Sequence, residues 1–206
     1  MSIVKLNNRG VRSATTFGSI SALGSMVFIK KQTASSSSTI DFVDGTSDVV
    51  LDNTYKEYVF TFNNMHPATD SVDFEFNMSV DGGSNYNVTK TSTSFRAIHR
   101  ENDTAASLAY YGTTDLAQST GVQSFGVDMS NDNDSGLCGY LHIFNPSNTT
   151  HVKHFIASAT FMHVDPRSDV YYFAGYGNTT SAVDAIQFKF QSGNIDAGDI
   201  CLYGIN

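Results

Sequence analysis

The clearest pattern in the chain is an alternation of apolar and polar residues near the C-terminus. In Ile186–Gln191 every second residue is isoleucine or phenylalanine, which is the period of a strand with one buried and one wet face. Ser192–Asn194 predicts a turn, because glycine and asparagine tolerate positive φ at little cost. A second strand is predicted to run through Ile200 and Leu202 to Ile205, so the chain is expected to close its fold here.

Further strands are predicted wherever the same alternation recurs between turn-forming residues. The strongest is Tyr55–Phe62, in which Tyr58, Phe60 and Phe62 share one face, and Asn63–Pro67 is expected to end it. The other segments predicted as strands are residues 26–31, 39–43, 72–80, 137–144, 152–163 and 170–176. The first two of these are expected to pair as a hairpin across a serine-rich connection.

A second hairpin is predicted to begin with Val72–Val80. Its turn would be Asp81–Asn85, and residues 86–98 would form the returning strand. Asp73 and Glu75 share the polar face of the first strand, two residues apart. Paired carboxylates for acid/base chemistry are one interpretation, and the favoured one is a solvated strand face.

The alternation is lost over residues 101–121, where Asp103–Tyr111 is interpreted either as a short helix or as part of a long crossing loop. About ten strands joined by short turns remain, with no βαβ alternation and no repeat of fixed period. Serine, threonine, asparagine, glycine and aromatic residues also favour strands over helices. The sequence therefore predicts an all-β, antiparallel two-sheet sandwich of the jelly-roll kind over residues 26–206.

Residues 1–25 differ from this domain because they are mostly small, with apolar residues spaced widely among them. Such a segment cannot form a core alone. It is interpreted either as a first β-element packed under the main domain or, preferably, as an arm that orders on a partner. The residues expected to bury against that partner are Val4, Leu6, Phe17, Ile20 and Leu23.

Length and charge limit the possible partners. A chain of 206 residues is long enough for one sizeable core without a metal or disulfide. The net charge of -8 with only 12 lysines and arginines disfavours nucleic acid and anionic membrane surfaces. No apolar run reaches the roughly 18 residues of a membrane span. Cys138 and Cys201 are expected to be buried thiols, and the absence of a signal-peptide pattern indicates synthesis inside the cell.

The candidate metal and catalytic patterns are weak. His151 and His154 are three residues apart in a predicted strand, so they would face opposite sides. The acidic loop Asp128–Gly136 lacks the closing glutamate of a calcium-binding EF-hand, and an asparagine-rich turn is the favoured interpretation. No P-loop, nucleophile elbow or dinucleotide-binding glycine pattern occurs. We therefore predict no catalytic residue, metal or cofactor.

Aromatic residues cluster in Tyr110–Tyr111 and in Tyr171–Phe173, with Tyr176 close by. Consecutive residues of a strand point to opposite faces, so at least one of Tyr171 and Tyr172 should leave the core. The exposed rings could stack on sugars or line a subunit interface. The sequence contains no tryptophan, and the interface is favoured.

Several stretches, spread over nearly the whole chain, resemble a family of virion structural proteins from tailed phages of marine bacteria, notably cyanophages and pelagiphages. They are Ile3–Arg12, Gln32–Ser38, Tyr55–Tyr58, His142–Ser147, Val152–Phe155, Ser192–Gly198 and Leu202–Ile205. The motifs are structural, so the resemblance implies a location in the virion more firmly than a particular role. It implies synthesis in the cytoplasm of the bacterial host, contact with other capsid or tail proteins, and a homo-oligomer, with a trimer as the first expectation.

Three hypotheses follow from the residues and the resemblance together. The first is a non-enzymatic surface component anchored by residues 1–25, either a capsid decoration protein or a short tail fibre or knob. The second is a receptor- or glycan-binding module of a tail fibre. Its specificity is expected in loops at one end of the sandwich, at Asp81, Tyr86, Asn131, Asp132 and Asp134. The third, an enzyme acting on host polysaccharide, is the least favoured.

Overall fold

A computed structural model describes residues 25–205 and shows an all-β chain, which confirms the predicted fold class. Its strands form one sheet of eight strands and one of four, all neighbours being antiparallel. Among these residues there is no helix long and apolar enough to cross a membrane. The strands are β1 (Met26–Thr33), β2 (Ile40–Val43), β3 (Glu57–Pro67), β4 (Val72–Ser79), β5 (Lys90–Arg100), β6 (Ala106–Tyr110), β7 (Gln123–Met129), β8 (Leu137–Phe144), β9 (Lys153–Met162), β10 (Arg167–Gly177), β11 (Ala185–Phe190) and β12 (Ile195–Ile205).

The strand order is that of a jelly roll. The order β1-β12-β3-β8 in the large sheet matches β2-β11-β4-β7 in the small one, so β1 to β2, β3 to β4, β7 to β8 and β11 to β12 each pass between sheets. The eight strands are therefore one long antiparallel hairpin, with β1 to β4 paired against β12, β11, β8 and β7, rolled into two layers. The remaining strands, β9-β10-β5-β6, extend the large sheet beyond the roll.

Phenylalanine rings fill the space between the two layers. Phe188 of β11 lies at their centre, with ring centroids 5.3 Å from Phe60, 5.2 Å from Phe62 and 6.2 Å from Phe74. Tyr58, Phe60 and Phe62 share the buried face of β3, and the apolar residues of Ile186–Phe190 share that of β11, as the alternation predicted. The contact with Phe62 is edge-to-face, that with Phe60 is tilted and that with Phe74 is stacked, and such aromatic contacts add to the hydrophobic burial of each ring.

The loops lie at two opposite ends of the sandwich. End A consists of residues 34–39, 68–71, 101–105, 130–136, 163–166 and 191–194. End B consists of residues 44–56, 80–89, 111–122, 145–152 and 178–184. Because Met26 pairs with Ile205 and Thr33 with Asp199, β1 begins at end B and runs towards end A.

Both predicted hairpins are wrong, because each strand pairs with a partner that is distant in sequence. β1 pairs with β12 and β2 with β11, in different sheets. β4 pairs with β11 and β7, while residues 90–100 form β5 of the other sheet. Residues 192–194 also connect two sheets, with Gly193 at a φ of 72°. β3 does not end at Asn63 but continues to Pro67 through a register shift between Phe62 and Met65.

The segment interpreted as a helix or a crossing loop contains a strand. β6 pairs with β5 through Phe95↔Tyr110 and His99↔Ala106, and all five of its residues are exposed. A strand that is exposed on both faces needs no alternation of apolar and polar residues, so the sequence of β6 does not show the two-residue period that identifies a strand. β7 (Gln123–Met129) was not predicted either, so the described residues hold twelve strands where about ten were expected.

The sequence favoured a solvated acidic face on β4, and this prediction is wrong because the face is largely covered. Glu75 is only 6% exposed, and Asn77 beside it is buried too. The side-chain amide of Asn77 donates to the carbonyl oxygens of Tyr86 at 2.7 Å and Thr120 at 3.0 Å, so loops from end B fold over this face. Burial raises the pKa of Glu75, and the nearby Lys189 charge only partly opposes that shift.

Two buried lysines flank Gly177 at end B, one from β5 and one from β9. Lys90 Nζ donates to the Val88 carbonyl oxygen at 2.9 Å and to the side-chain oxygen of Asn77. Lys153 Nζ donates to the carbonyl oxygens of His151 at 2.6 Å and Thr179 at 3.3 Å. No carboxylate is among these partners, and burial lowers the pKa of Lys90 to about 7.

Both cysteines are free thiols in the described part of the chain. Cys201 is buried, as expected, whereas Cys138 is half-buried and shares hydrogen bonds of 3.3 Å with the backbone and side chain of Asn64.

Candidate interaction surface

The strongest candidate site is the outer face of the eight-stranded sheet. Every large apolar side chain that is exposed in residues 25–205, apart from Val80 in a loop, belongs to this sheet. They are Met26, Phe28, Phe95, Leu108, Tyr110, Tyr140, Ile156 and Tyr172. Their sequence neighbours on β9 and β10 are buried, as is Leu141 next to Tyr140 on β8, so the exposed side chains point away from the core. We call this surface the aromatic face.

Four of these residues and Ser158 form one continuous row across five strands. The register joins Tyr110 to Phe95, Phe95 to Tyr172, Tyr172 to Ser158 and Ser158 to Tyr140. Residues directly opposite on neighbouring strands have adjacent side chains, so the row is a physical surface and not only an alignment. The structure thus brings together Tyr110 and Tyr172 of the two aromatic clusters and leaves Tyr171 in the core, as expected for one residue of that pair.

The centre of the row is an aromatic stack beside a shallow hollow. The rings of Phe95 and Tyr172 lie nearly parallel, with centroids 5.1 Å apart and 17° between their planes, and they are 45% and 43% exposed. Next to them the small side chains of Thr93 and Ala174 leave a hollow of about 200 Å³, closed on its far side by Ile156. A flat apolar ligand group or an apolar side chain of another protein would fit there.

A buried ion-pair network supports the stack from the core side of β10. Arg167 makes a two-pronged contact with Asp169, with Nε donating at 2.7 Å and Nη2 at 3.2 Å. Arg96 Nη1 donates to the Tyr171 hydroxyl at 3.1 Å, and its guanidinium carbon lies 3.8 Å from the ring centroid of Tyr111. Burial raises the pKa of Tyr171, so the hydroxyl stays neutral. These contacts fix β5, β10 and the chain after β6 to one another.

Sequence reasoning missed this network, although one signal was present. Arg167 and Asp169 are two residues apart on a strand and therefore share a face, which pairs their charges directly. Arg96 could not be added from sequence, because its position depends on the pairing of β5 with β10.

The predicted loop residues do not lie together. Asp81 and Tyr86 follow the C-terminal end of β4 at end B, whereas Asn131, Asp132 and Asp134 follow β7 at end A. The Asp81 carboxylate accepts hydrogen bonds within its own turn, from Ser79 Oγ and from the backbone and side chain of Asn85. The bond from the Asn85 side chain is the main cause of the lowered pKa of Asp81. Burial, together with Asp41, raises the pKa of the Tyr86 hydroxyl.

The loop at end A is fixed mainly by its backbone. The Asn131 N–H donates to Asp70 at 3.1 Å, and the Asp132 carbonyl oxygen lies 3.1 Å from His66 Nε2. Asp134 lines an open cleft of about 420 Å³ together with His66 and Asp196. Within residues 25–205, no group of three or more histidine, cysteine, aspartate or glutamate side chains is arranged to hold a metal ion.

The residues predicted to attach the arm, namely Val4, Leu6, Phe17, Ile20 and Leu23, lie outside the described residues. Comparison with known proteins gives no match: no protein-family model, no curated protein and no solved structure is significantly similar to this chain.

Proposed function

We propose that this protein is a non-enzymatic structural component displayed on the surface of a tailed-phage particle, as a capsid decoration protein or a short tail fibre or knob. The observation that carries the proposal is the aromatic face on a jelly-roll body, whose row crosses five strands of the large sheet. Jelly rolls recur in viral capsid proteins and lectins, and contiguous exposed apolar surface is typical of protein contacts. The resemblance to phage virion proteins supports the same class.

The direction of β1 indicates which end of the domain would face the particle in the proposed attachment. β1 begins at end B, so an arm formed by the residues before Met26 would leave the domain there. End B, with Asp81 and Tyr86, would then face the particle. End A, with Asn131, Asp132 and Asp134, would face outwards and would be the end able to meet a host surface.

The proposal is tested on purified particles. We expect mass spectrometry to find the chain in them, and gold labelling of the protein to show whether it lies on the capsid or the tail. Removal of residues 1–25 should abolish incorporation while leaving the melting temperature of the domain nearly unchanged. A chain that is absent from particles, or incorporated equally well without these residues, would contradict the proposal.

A glycan-binding module is the second candidate function. The Phe95–Tyr172 stack favours it, because aromatic faces pack against the apolar faces of sugar rings. Phe95→Ser with Tyr172→Ser should then abolish binding to host envelope polysaccharide, while Phe28→Ser, at a ring that is 57% exposed on the far edge of the sheet, should not. Retained binding in the double variant would rule out this site. Release of reducing sugar in the same incubation would indicate an enzyme and contradict both proposals.

A further inference from the structure

β6 is short, with five residues, but its free edge lacks the charges and register shifts that protect the edges at β1 and β7. β1 carries Lys30, Lys31 and a register shift after Phe28, β2 has only four residues, and β7 is largely buried with shifts in its pairing. β6 reads Ala-Ser-Leu-Ala-Tyr, with no charge and no proline, and within residues 25–205 no strand pairs with its outer side. Proteins normally protect such an edge with charge, proline, a bulge or a covering element.

The hydrogen bonds of the β5–β6 hairpin show which backbone groups of β6 face outwards. Arg100 N–H donates to the Ala105 carbonyl oxygen and Tyr111 N–H to the Ser94 carbonyl oxygen, each at 2.9 Å. In an antiparallel ladder these bonded pairs alternate, so residues 105, 107, 109 and 111 face β5. The N–H and C=O groups of Ala106, Leu108 and Tyr110 therefore point to the open side.

We propose that β6 is a self-association edge, which pairs antiparallel with β6 of a second copy of this chain about a two-fold axis at Leu108. This register sets Leu108 against Leu108 and Ala106 against Tyr110 of the other copy. All three residues present outward backbone groups, so each of the three pairs exchanges two hydrogen bonds. A second copy of β6 is the partner that fits, because this register gives a hydrogen-bond partner to every outward N–H and C=O group of Ala106, Leu108 and Tyr110.

The side chains fit the same register. Leu108 and Tyr110 are 71% and 60% exposed and point to the aromatic face with Ala106. The pairing sets the large Tyr110 beside the small Ala106 and places no charge opposite a like charge within the strand. Glu101, Asp103 and Asp115 in the flanking turns approach those of the other copy, so added salt should strengthen the association.

The contact is small and is expected to be weak in solution, with a Kd of about 10–100 µM. It would become effective where copies are held close together, as at the surface of an assembly. Because the symmetry is two-fold, this contact does not build a trimer, which stays a separate prediction. The proposal does not depend on the virion role, since purified protein decides it.

Sedimentation of the full chain over a range of concentrations tests the proposal. We expect a monomer–dimer equilibrium that Leu108→Lys weakens at least tenfold. The matched control is Phe28→Lys, which places the same charge on the other edge of the sheet and should leave the equilibrium unchanged. Thermal unfolding of both variants verifies that the domain is intact, since surface substitutions cost little.

Cysteine cross-linking tests the register in a chain with Cys138→Ser and Cys201→Ser. Leu108→Cys should form a disulfide-linked dimer, because bonded antiparallel pairs have Cα atoms about 5.5 Å apart. Ala106→Cys should cross-link only when mixed with Tyr110→Cys. A monomer at every concentration, a dimer indifferent to Leu108→Lys, or association that disappears only when residues 1–24 are removed would each overturn the proposal.

Discussion

The outer face of the four-stranded sheet is polar and largely covered, whereas the outer face of the eight-stranded sheet is aromatic and open. On the small sheet the polar groups bond to one another: Gln187 Nε2 donates to Asp41 at 2.8 Å, and Lys189 Nζ lies 3.6 Å from Glu75. On the large sheet the exposed rings of Phe95 and Tyr172 stack on each other, with centroids 5.1 Å apart. Residue polarity on an outer strand face therefore does not determine exposure here, because loops from end B cover one face and not the other.

Phe188→Ala should have the largest effect, because Phe188 lies at the centre of the core that packs the two sheets together. The ring contacts Phe60, Phe62 and Phe74, and its removal leaves a cavity that should cost about 4 kcal/mol of unfolding free energy. Urea denaturation measures the change. Phe28→Ala, which removes a ring exposed on the aromatic face, is the control and should cost less than about 1 kcal/mol.

Asp169→Ala should lower the unfolding free energy by disrupting the buried network on the core side of β10, beneath the aromatic face. Removing this fully buried carboxylate leaves Arg167 without its two-pronged partner, at a cost of about 3 kcal/mol. Asp165→Ala is the control, since Asp165 is half exposed and its contacts with Arg100 and Arg167 are 3.3 and 3.4 Å long. Equal losses of unfolding free energy in the two variants would mean that the buried network does not support the sheet.

Lys90→Met should change how stability depends on pH. The folded-state pKa of Lys90 is about 7, below the unfolded value near 10.4, so the unfolded chain binds more protons between these values and stability rises with pH from about 7 to about 10. Above pH 10 the raised pKa of Tyr58, about 12, opposes the rise.

The methionine removes the Lys90 part of this dependence and leaves the smaller part due to Lys153, whose pKa burial also lowers. It should add about 1–2 kcal/mol at pH 7, less than the whole desolvation cost because the Val88 carbonyl loses a donor. Thermal unfolding at several pH values measures it. Lys31→Met, at an exposed lysine, should keep the wild-type profile, and a rise between pH 7 and 10 that is undiminished in Lys90→Met would contradict the assignment.

Glu75→Gln should have the smallest effect, and it measures what the burial of a carboxylate costs on the covered face of the small sheet. Because burial raises the folded-state pKa of Glu75, the folded chain holds an extra proton above about pH 4.3, and stability falls as pH rises through that window. The amide removes this loss, so the unfolding free energy at pH 7 should rise slightly. Glu101→Gln in an exposed turn should change nothing, and a destabilised Glu75→Gln would show that the pair with Lys189 is favourable.

The sequence was most informative where burial imposes a period. The apolar residues of β3 and β11 alternate because one face packs against the core, and Tyr171 and Tyr172 divide between core and surface for the same reason. β6 was missed because all its residues are exposed, and the burial of Asn77 was missed because the loops that cover it, at Tyr86 and Thr120, leave no trace in the alternation of β4.

Pairing was the least predictable feature. β1 meets β12 only because the intervening chain rolls up, and no local turn signal specifies that contact. The aromatic face has the same origin: Tyr110, Phe95, Tyr172 and Tyr140 are far apart in sequence, and only the register brings them into one row.

The position of β1 also has a mechanical consequence. Its hydrogen bonds to β12 run perpendicular to the strand, and β1 points from end B towards end A. If the chain is held through the residues before Met26 while end A grips a host surface, a pull would act along β1 in shear. The whole ladder would then resist the load at once, instead of peeling open one bond at a time.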